Sequence, residues 1–105
     1  MSYARKGPAA WAIHPGEVLK EEFLKPMNLS GYALAKALRV TAQRVSDILL
    51  KKTGISADMA IRLGRFFGMS PEFWMNLQAS YELAVAEKTL KKQINKIKPH
   101  PIKVA

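Results

Sequence analysis

The chain has no cysteine. That excludes disulfides, thiolate zinc fingers and cysteine nucleophiles together, and it fits a reducing cytoplasm. Histidine occurs only twice, as His14 and His100, at opposite ends and beside prolines. Neither has a spaced ligand partner, so no metal site is expected. No apolar run approaches the ~20 residues that a membrane helix needs. The opening MSYARKGPAAW lacks the apolar segment of a signal peptide, and residues 1–13 read as a flexible leader. Strand signals are nearly absent, with no sustained alternation and no Asn-Gly or Asp-Gly hairpin turn. There is no phosphate loop and no nucleophile elbow. The expectation is a protein that is not an enzyme and holds no cofactor.

What the chain does have is helical pattern and positive charge. Its 105 residues allow one small domain. The formal net charge is +9. All eight acidic residues lie between Glu17 and Glu87, and over Pro15 to Glu87 nine cations nearly balance them. The excess sits at the ends, on Arg5 and Lys6 and on Lys88, Lys91, Lys92, Lys96, Lys98 and Lys103. Lys36 to Lys52 holds five cations (Lys36, Arg39, Arg44, Lys51, Lys52) against one anion, Asp47. Cations gathered on one short element suit phosphate binding. The lysines of the tail read equally well as a solvated charge run.

Five helices are expected. The first begins at Pro15, buries Val18, Leu19, Phe23 and Leu24, and ends near Pro26. The second and third form GYALAKALRVTAQRVSDILL, Gly31 to Leu50, which reads as a helix-turn-helix. Leu34, Ala35 and Leu38 line one helix. Val45, Ile48 and Leu49 line the other, with Thr41 as its N-cap. Arg39 stands at the turn, where a positive φ usually selects glycine. The fourth helix starts at Ser56, buries Ala60, Leu63 and Phe67, and stops at Gly68. The fifth starts with Ser70 and Pro71 and presents Trp74, Leu77, Tyr81 and Ala84 as a stripe. Helical spacing continues through Leu90, Ile94 and Ile97 to the stops at Pro99 and Pro101. Phe66, Phe67, Phe73, Trp74 and Tyr81 are expected to pack against the helix-turn-helix. The domain is placed at 14–90, with a basic tail over 91–105.

The third helix sorts its residues by 100° steps. Val45, Ile48 and Leu49 face inward with Ala42 at the edge, and Gln43, Ser46, Asp47 and Leu50 face outward with Arg44 and Lys51 on the flanks. Gln43 can bond adenine through two hydrogen bonds, and Arg44 can do so with guanine. Ser46 can reach base or phosphate. Asp47 either accepts from a cytosine amino group or orients Arg44, and the second is favoured. Lys51 and Lys52 suit phosphates. The apolar stripe of the fifth helix, through Trp74, Leu77 and Tyr81, suggests a homodimer interface. Glu17, Glu21 and Glu22 are read as the wet face of the first helix.

Taken together, the chain resembles the HigA-type antitoxins, helix-turn-helix proteins of the XRE superfamily. The match spans about His14 to Leu90. HPGEVLKEEFLKPMNLS (His14 to Ser30) is similar to the family's opening block, and ISADMAIRLGRFFGMSPEFWMNLQASYEL (Ile55 to Leu83) to its closing block. SPEFWMNLQ, Ser70 to Gln78, is the most specific piece. The resemblance implies an all-α, five-helix lambda-repressor-like domain that binds double-stranded operator DNA as a dimer. It also implies neutralisation of a co-encoded ribonuclease toxin of the HigB type and repression of the protein's own operon. Relatives commonly begin the second helix with glutamine, where this chain has Gly31 and Tyr32, so the resemblance implies that a phosphate contact is either missing or moved to the Tyr32 hydroxyl. Arg39 replaces the turn glycine, and LKKT (Leu50 to Thr53) replaces an Asn-Gly pair. A basic toxin would seek carboxylates, and Glu17, Glu21 and Glu22 supply three within six residues. The alternatives are a free-standing XRE-type regulator without a toxin, or an interaction module with weakened DNA reading.

Overall fold

The structure is a computed structural model that describes residues 12–101. Helix α1 runs continuously through α-helical Pro15–Val18, π-helical Leu19–Leu24 and α-helical Lys25–Met27. It is followed by α2 (Gly31–Leu38), α3 (Ala42–Leu49), α4 (Ala57–Phe67) and α5 (Pro71–Ile94). There is no strand among the described residues. The architecture is therefore the expected all-α one. The expected leader lies outside the described residues, apart from Ala12 and Ile13. Residues 102–105 of the tail lie outside them too.

Each helix begins at a side-chain cap. His14, Ser30, Thr41, Ser56 and Ser70 accept from Gly16, Ala33, Arg44, Met59 and Glu72 backbone N–H groups respectively. Each cap satisfies a donor that the first turn leaves free, an effect of about 1 kcal/mol. The first four helices also share one ending. A residue in the left-handed region follows each helix, namely Asn28, Arg39, Lys51 and Gly68. The next N–H then reaches back across the last turn: Leu29 to Leu24 O, Val40 to Ala35 O, Lys52 to Asp47 O and Met69 to Gly64 O, at 2.8–3.0 Å. This is the Schellman closure, and three of its four left-handed residues are not glycine. The positive φ expected at Arg39 is 62°.

One helix end matches expectation and one differs. α1 ends at Met27, beside Pro26 as expected. The preceding turn is wide, with Lys25 N–H bonding Lys20 O five residues back. A π turn loosens the ladder ahead of a proline ring that would otherwise meet the carbonyl four residues earlier. At the other end α5 stops at Ile94, short of Ile97, and Asn95 to Ile97 close in tight turns.

The core joins all five helices. Leu19, Leu24, Leu34, Ala35, Leu38, Val45, Ile48, Met59, Ala60, Leu63 and Trp74 are buried in it, with Ile55 from the α3–α4 loop. Phe23 of α1 organises the aromatics. Its ring lies 4.8 Å from Phe67, 5.1 Å from Trp74 and 6.2 Å from Phe73. These aromatics therefore gather on α1 as well as on the helix-turn-helix, and Phe66 lies exposed at the edge. Glycines let the helices close up. A Cβ on Gly16 would collide with Ile48 O at the end of α3, and one on Gly64 would stand 2.6 Å from Met69 O.

Candidate nucleic-acid interface

Helix α3 buries Val45 and Ile48 and leaves Thr41, Ala42, Gln43 and Leu50 exposed around its start and end. Arg44, Ser46 and Asp47 are half-buried along its outer side. The sorting by helical period holds for Val45 and Ile48, whereas Leu49 is only half-buried and Ala42 is exposed, because the first turn and the far flank of α3 lie outside the core. Thr41 Oγ1 accepts from Arg44 N at 3.1 Å, so the cap is made.

The outward side chains are held in place by carboxylates. Gln43 Nε2 donates to Asp47 Oδ1 at 2.7 Å. Arg44 Nη2 reaches Asp58 Oδ2 at 3.5 Å, and Arg62 Nε donates to Asp58 Oδ1 at 2.6 Å. Arg62 Nη1 then donates to Leu38 O at 2.7 Å, capping the end of α2. The Arg62 hydrogen bond, then the charges of Arg62 and Arg44, lower the Asp58 pKa against some desolvation. Asp47 was expected to orient Arg44, and this needs correcting: it orients Gln43. Helical side chains lean toward the N-terminus, so Asp47 lies back over the turn that carries Gln43. Arg44 is drawn instead to Asp58, which α4 presents from its first turn.

The cationic flank is also partly engaged. Lys51 Nζ pairs with Glu17 Oε1 at 3.1 Å. Lys36, Arg39 and Lys52 take part in no ion pair among the described residues. Tyr32 is two-thirds exposed on the first turn of α2, with Lys36 Nζ 5.8 Å from its ring centroid.

His14 is the residue that sequence reasoning passed over. It is the one buried ionisable side chain among the described residues, 4% exposed. Its Nδ1 accepts from Gly16 N at 2.9 Å, and its ring meets Tyr81 edge-on at 4.9 Å. Burial, then the charge of Lys51, lowers its pKa below 6.5, against smaller opposing effects from Thr53 and Glu17. The His-Pro-Gly run was the available signal, since a helix starting at Pro15 puts His14 at its N-cap. Gln78 was likewise unsuspected. It accepts from Ile55 N at 2.7 Å and fixes the α3–α4 loop to α5.

One other group of residues sits differently from its expected role. Trp74 is wholly buried and offers no surface to a partner chain. Leu77 and Tyr81 are half-buried, and Tyr81 faces His14 of its own chain. The exposed apolar residues of α5 lie further on, at Leu83, Val85, Leu90 and Ile94. Glu17, Glu21 and Glu22 are all exposed, as expected of the wet face of α1, and two of them stand in ion pairs. Glu17 pairs with Lys51 of the loop after α3, and Glu21 with Lys25 at 3.1 Å.

A short helix capped by Thr41, crossed by α2 and bearing outward amide and guanidinium groups, defines a helix-turn-helix domain. The helix-turn-helix family model matches residues 20–74. The chain is 52% identical to virulence-associated protein I of Dichelobacter nodosus, over 84% of this chain and 81% of that protein. It is 37% identical to antitoxin HigA-1 of Vibrio cholerae, over 83% and 82%. The Pseudomonas aeruginosa antitoxin HigA, solved with the higBA promoter, superposes with a TM-score of 0.81 at 55% identity, over 84% of this chain and 97% of that one. The chain belongs to the HigA-type antitoxin family of helix-turn-helix proteins.

Proposed function

We propose that this protein is the antitoxin of a toxin–antitoxin pair. It binds operator DNA in the cytoplasm, represses its own operon by doing so, and neutralises a ribonuclease toxin of the HigB type. The observation that carries the reading is the outward face of α3, with Gln43, Arg44 and Ser46 on a helix fixed from behind by Val45 and Ile48. The Pseudomonas aeruginosa relative solved with a promoter supports it.

In the complex α3 enters the major groove by its N-terminal turn. Gln43 meets adenine, and Arg44 swings from its long contact with Asp58 to guanine. Ser46 meets base or phosphate. Arg39, Lys51, Lys52 and the Tyr32 hydroxyl take phosphates and set the register without choosing sequence. One α3 covers too few base pairs to find a site in a genome, so two protomers act together. The distal half of α5 supplies their contact through Leu83, Leu90 and Ile94.

Co-expression tests both halves. The gene beside this one is expressed alone and with this protein, and growth is followed together with a reporter fused to the shared promoter. Restored growth with a silenced reporter is expected. Silencing without rescue would leave a free-standing regulator.

A further inference from the structure

We propose that Asp47 sets the base preference of α3 by fixing the orientation of the Gln43 amide. The inference rests on the reading of α3 as the DNA-contacting helix. A carboxylate on that face repels phosphate, so its presence in an otherwise cationic stretch needs a reason. Neutralisation is not the reason, because no ion pair reaches Asp47 among the described residues. Its side chain has a different partner, Gln43 Nε2 at 2.7 Å. Its position is fixed as well, since Asp47 O accepts from Lys52 N at 2.8 Å and Thr53 N at 3.3 Å in the closing turn of α3.

A glutamine amide has two ends of nearly equal shape, one accepting and one donating, and in solution it turns freely between them. An ionised carboxylate only accepts. Asp47 can therefore bond the NH2 end and never the oxygen end. Gln43 is left with its Oε1 turned away from Asp47 and one N–H still free, an acceptor beside a donor. That edge complements adenine, which offers the N6 amino donor beside the N7 acceptor. Guanine offers two acceptors there, O6 and N7, and would need both N–H groups. One of those is already committed. Asp47 thus disfavours the wrong purine, a repulsive element of the kind that specificity requires.

The test measures binding by fluorescence anisotropy at one salt concentration. The operator duplex is compared with duplexes carrying guanine in place of each adenine in turn. The position read by Gln43 is the one where Gln43→Ala abolishes the preference. The wild type should prefer adenine there by about tenfold or more. Asp47→Ala should reduce the ratio below about threefold. Asp47→Asn should reduce it too, because an asparagine can bond the amide either way. Asp47→Glu keeps an acceptor-only partner one helical turn from Gln43 and should hold the preference. A charge acting only on phosphates would instead raise affinity for both duplexes equally in Asp47→Ala and Asp47→Asn, with the ratio unchanged. That result overturns the proposal. So does an Asp47→Glu ratio as low as that of Asp47→Ala. If Gln43→Ala alters the preference at no position, the proposal falls because Gln43 is not a base reader. Arg44→Ala measured alongside then shows whether α3 reads DNA at all.

Discussion

Single side chains fix both the starts of the helices and the long-range pairs between them, as Thr41 does for α3 and Arg44 and Lys51 do for its neighbours. Thr41, Ser56 and Ser70 stand immediately before helical patterns, so their capping role follows from local order alone. The Arg44–Asp58 and Lys51–Glu17 pairs join residues far apart in sequence, and no spacing rule announces them. His14 reads as a lone histidine in sequence because Tyr81, whose ring it meets, comes from a distant part of the chain. Its chemistry gives a pH prediction. Nδ1 must accept from Gly16 N–H, so the buried ring must be neutral. Its folded pKa lies below the ordinary value of 6.5, which the unfolded chain retains. The stability due to His14 is therefore fully present above about pH 6.5 and is lost as pH falls from there through the folded pKa. Urea midpoints should drop between pH 7.5 and 5.5, and His14→Asn, a neutral cap, should show a smaller drop. Equal drops in both proteins would exclude His14 as the cause.

At the scale of elements, helix type and order followed from periodicity, while helix ends followed from backbone chemistry that periodicity does not report. Pro26 marks the last turn of α1, as its ring predicts, and the π turn from Leu19 to Leu24 lets the helix carry it one residue before the end. The repeated left-handed ending was visible at Gly68 and, from the turn of the helix-turn-helix, at Arg39, while asparagine and lysine hide it at the other two places. The three non-glycine residues bear the strain of about 1–2 kcal/mol that a side chain meets in this region. Arg39→Gly should relieve it, at the expense of greater freedom in the unfolded chain. A net gain of up to about 1 kcal/mol is expected in urea titration, with weaker binding to all DNA because a cation is lost. Gly16 works the opposite way. Its missing side chain lets α1 touch the end of α3, and Gly16→Ala should cost about 1–3 kcal/mol by overpacking. A variant as stable as the wild type would mean that α1 can shift without loss.

Over the whole molecule, packing separates α5 into two parts. Its first half carries Trp74 and Leu77 into the core. Its second half leaves Leu83, Leu90 and Ile94 uncovered beside Lys88, Lys91 and Lys92. The stripe read from sequence was continuous, and no pattern could say where its own core ends and a partner's surface begins. If the distal half joins two protomers, sedimentation should give a dimer at micromolar concentration, and Leu90→Glu with Ile94→Glu should give a folded monomer. A wild-type monomer under those conditions would remove α5 as the interface. The surface around α3 predicts a salt effect as well. Each phosphate neutralised adds about 0.9 to the slope of log affinity against log salt, so Lys52→Ala should flatten the slope by roughly that amount and leave sequence preference intact.

The central claim is that the outward face of α3 reads operator sequence. It is tested most directly by measuring Gln43→Ala and Arg44→Ala on the promoter of this protein's own operon and on random DNA of equal length, at fixed salt. The account predicts a loss of about 1–3 kcal/mol on the operator for each variant, and a much smaller loss on random DNA. Equal losses on both DNAs would contradict it, because they would make these residues phosphate contacts rather than readers of bases.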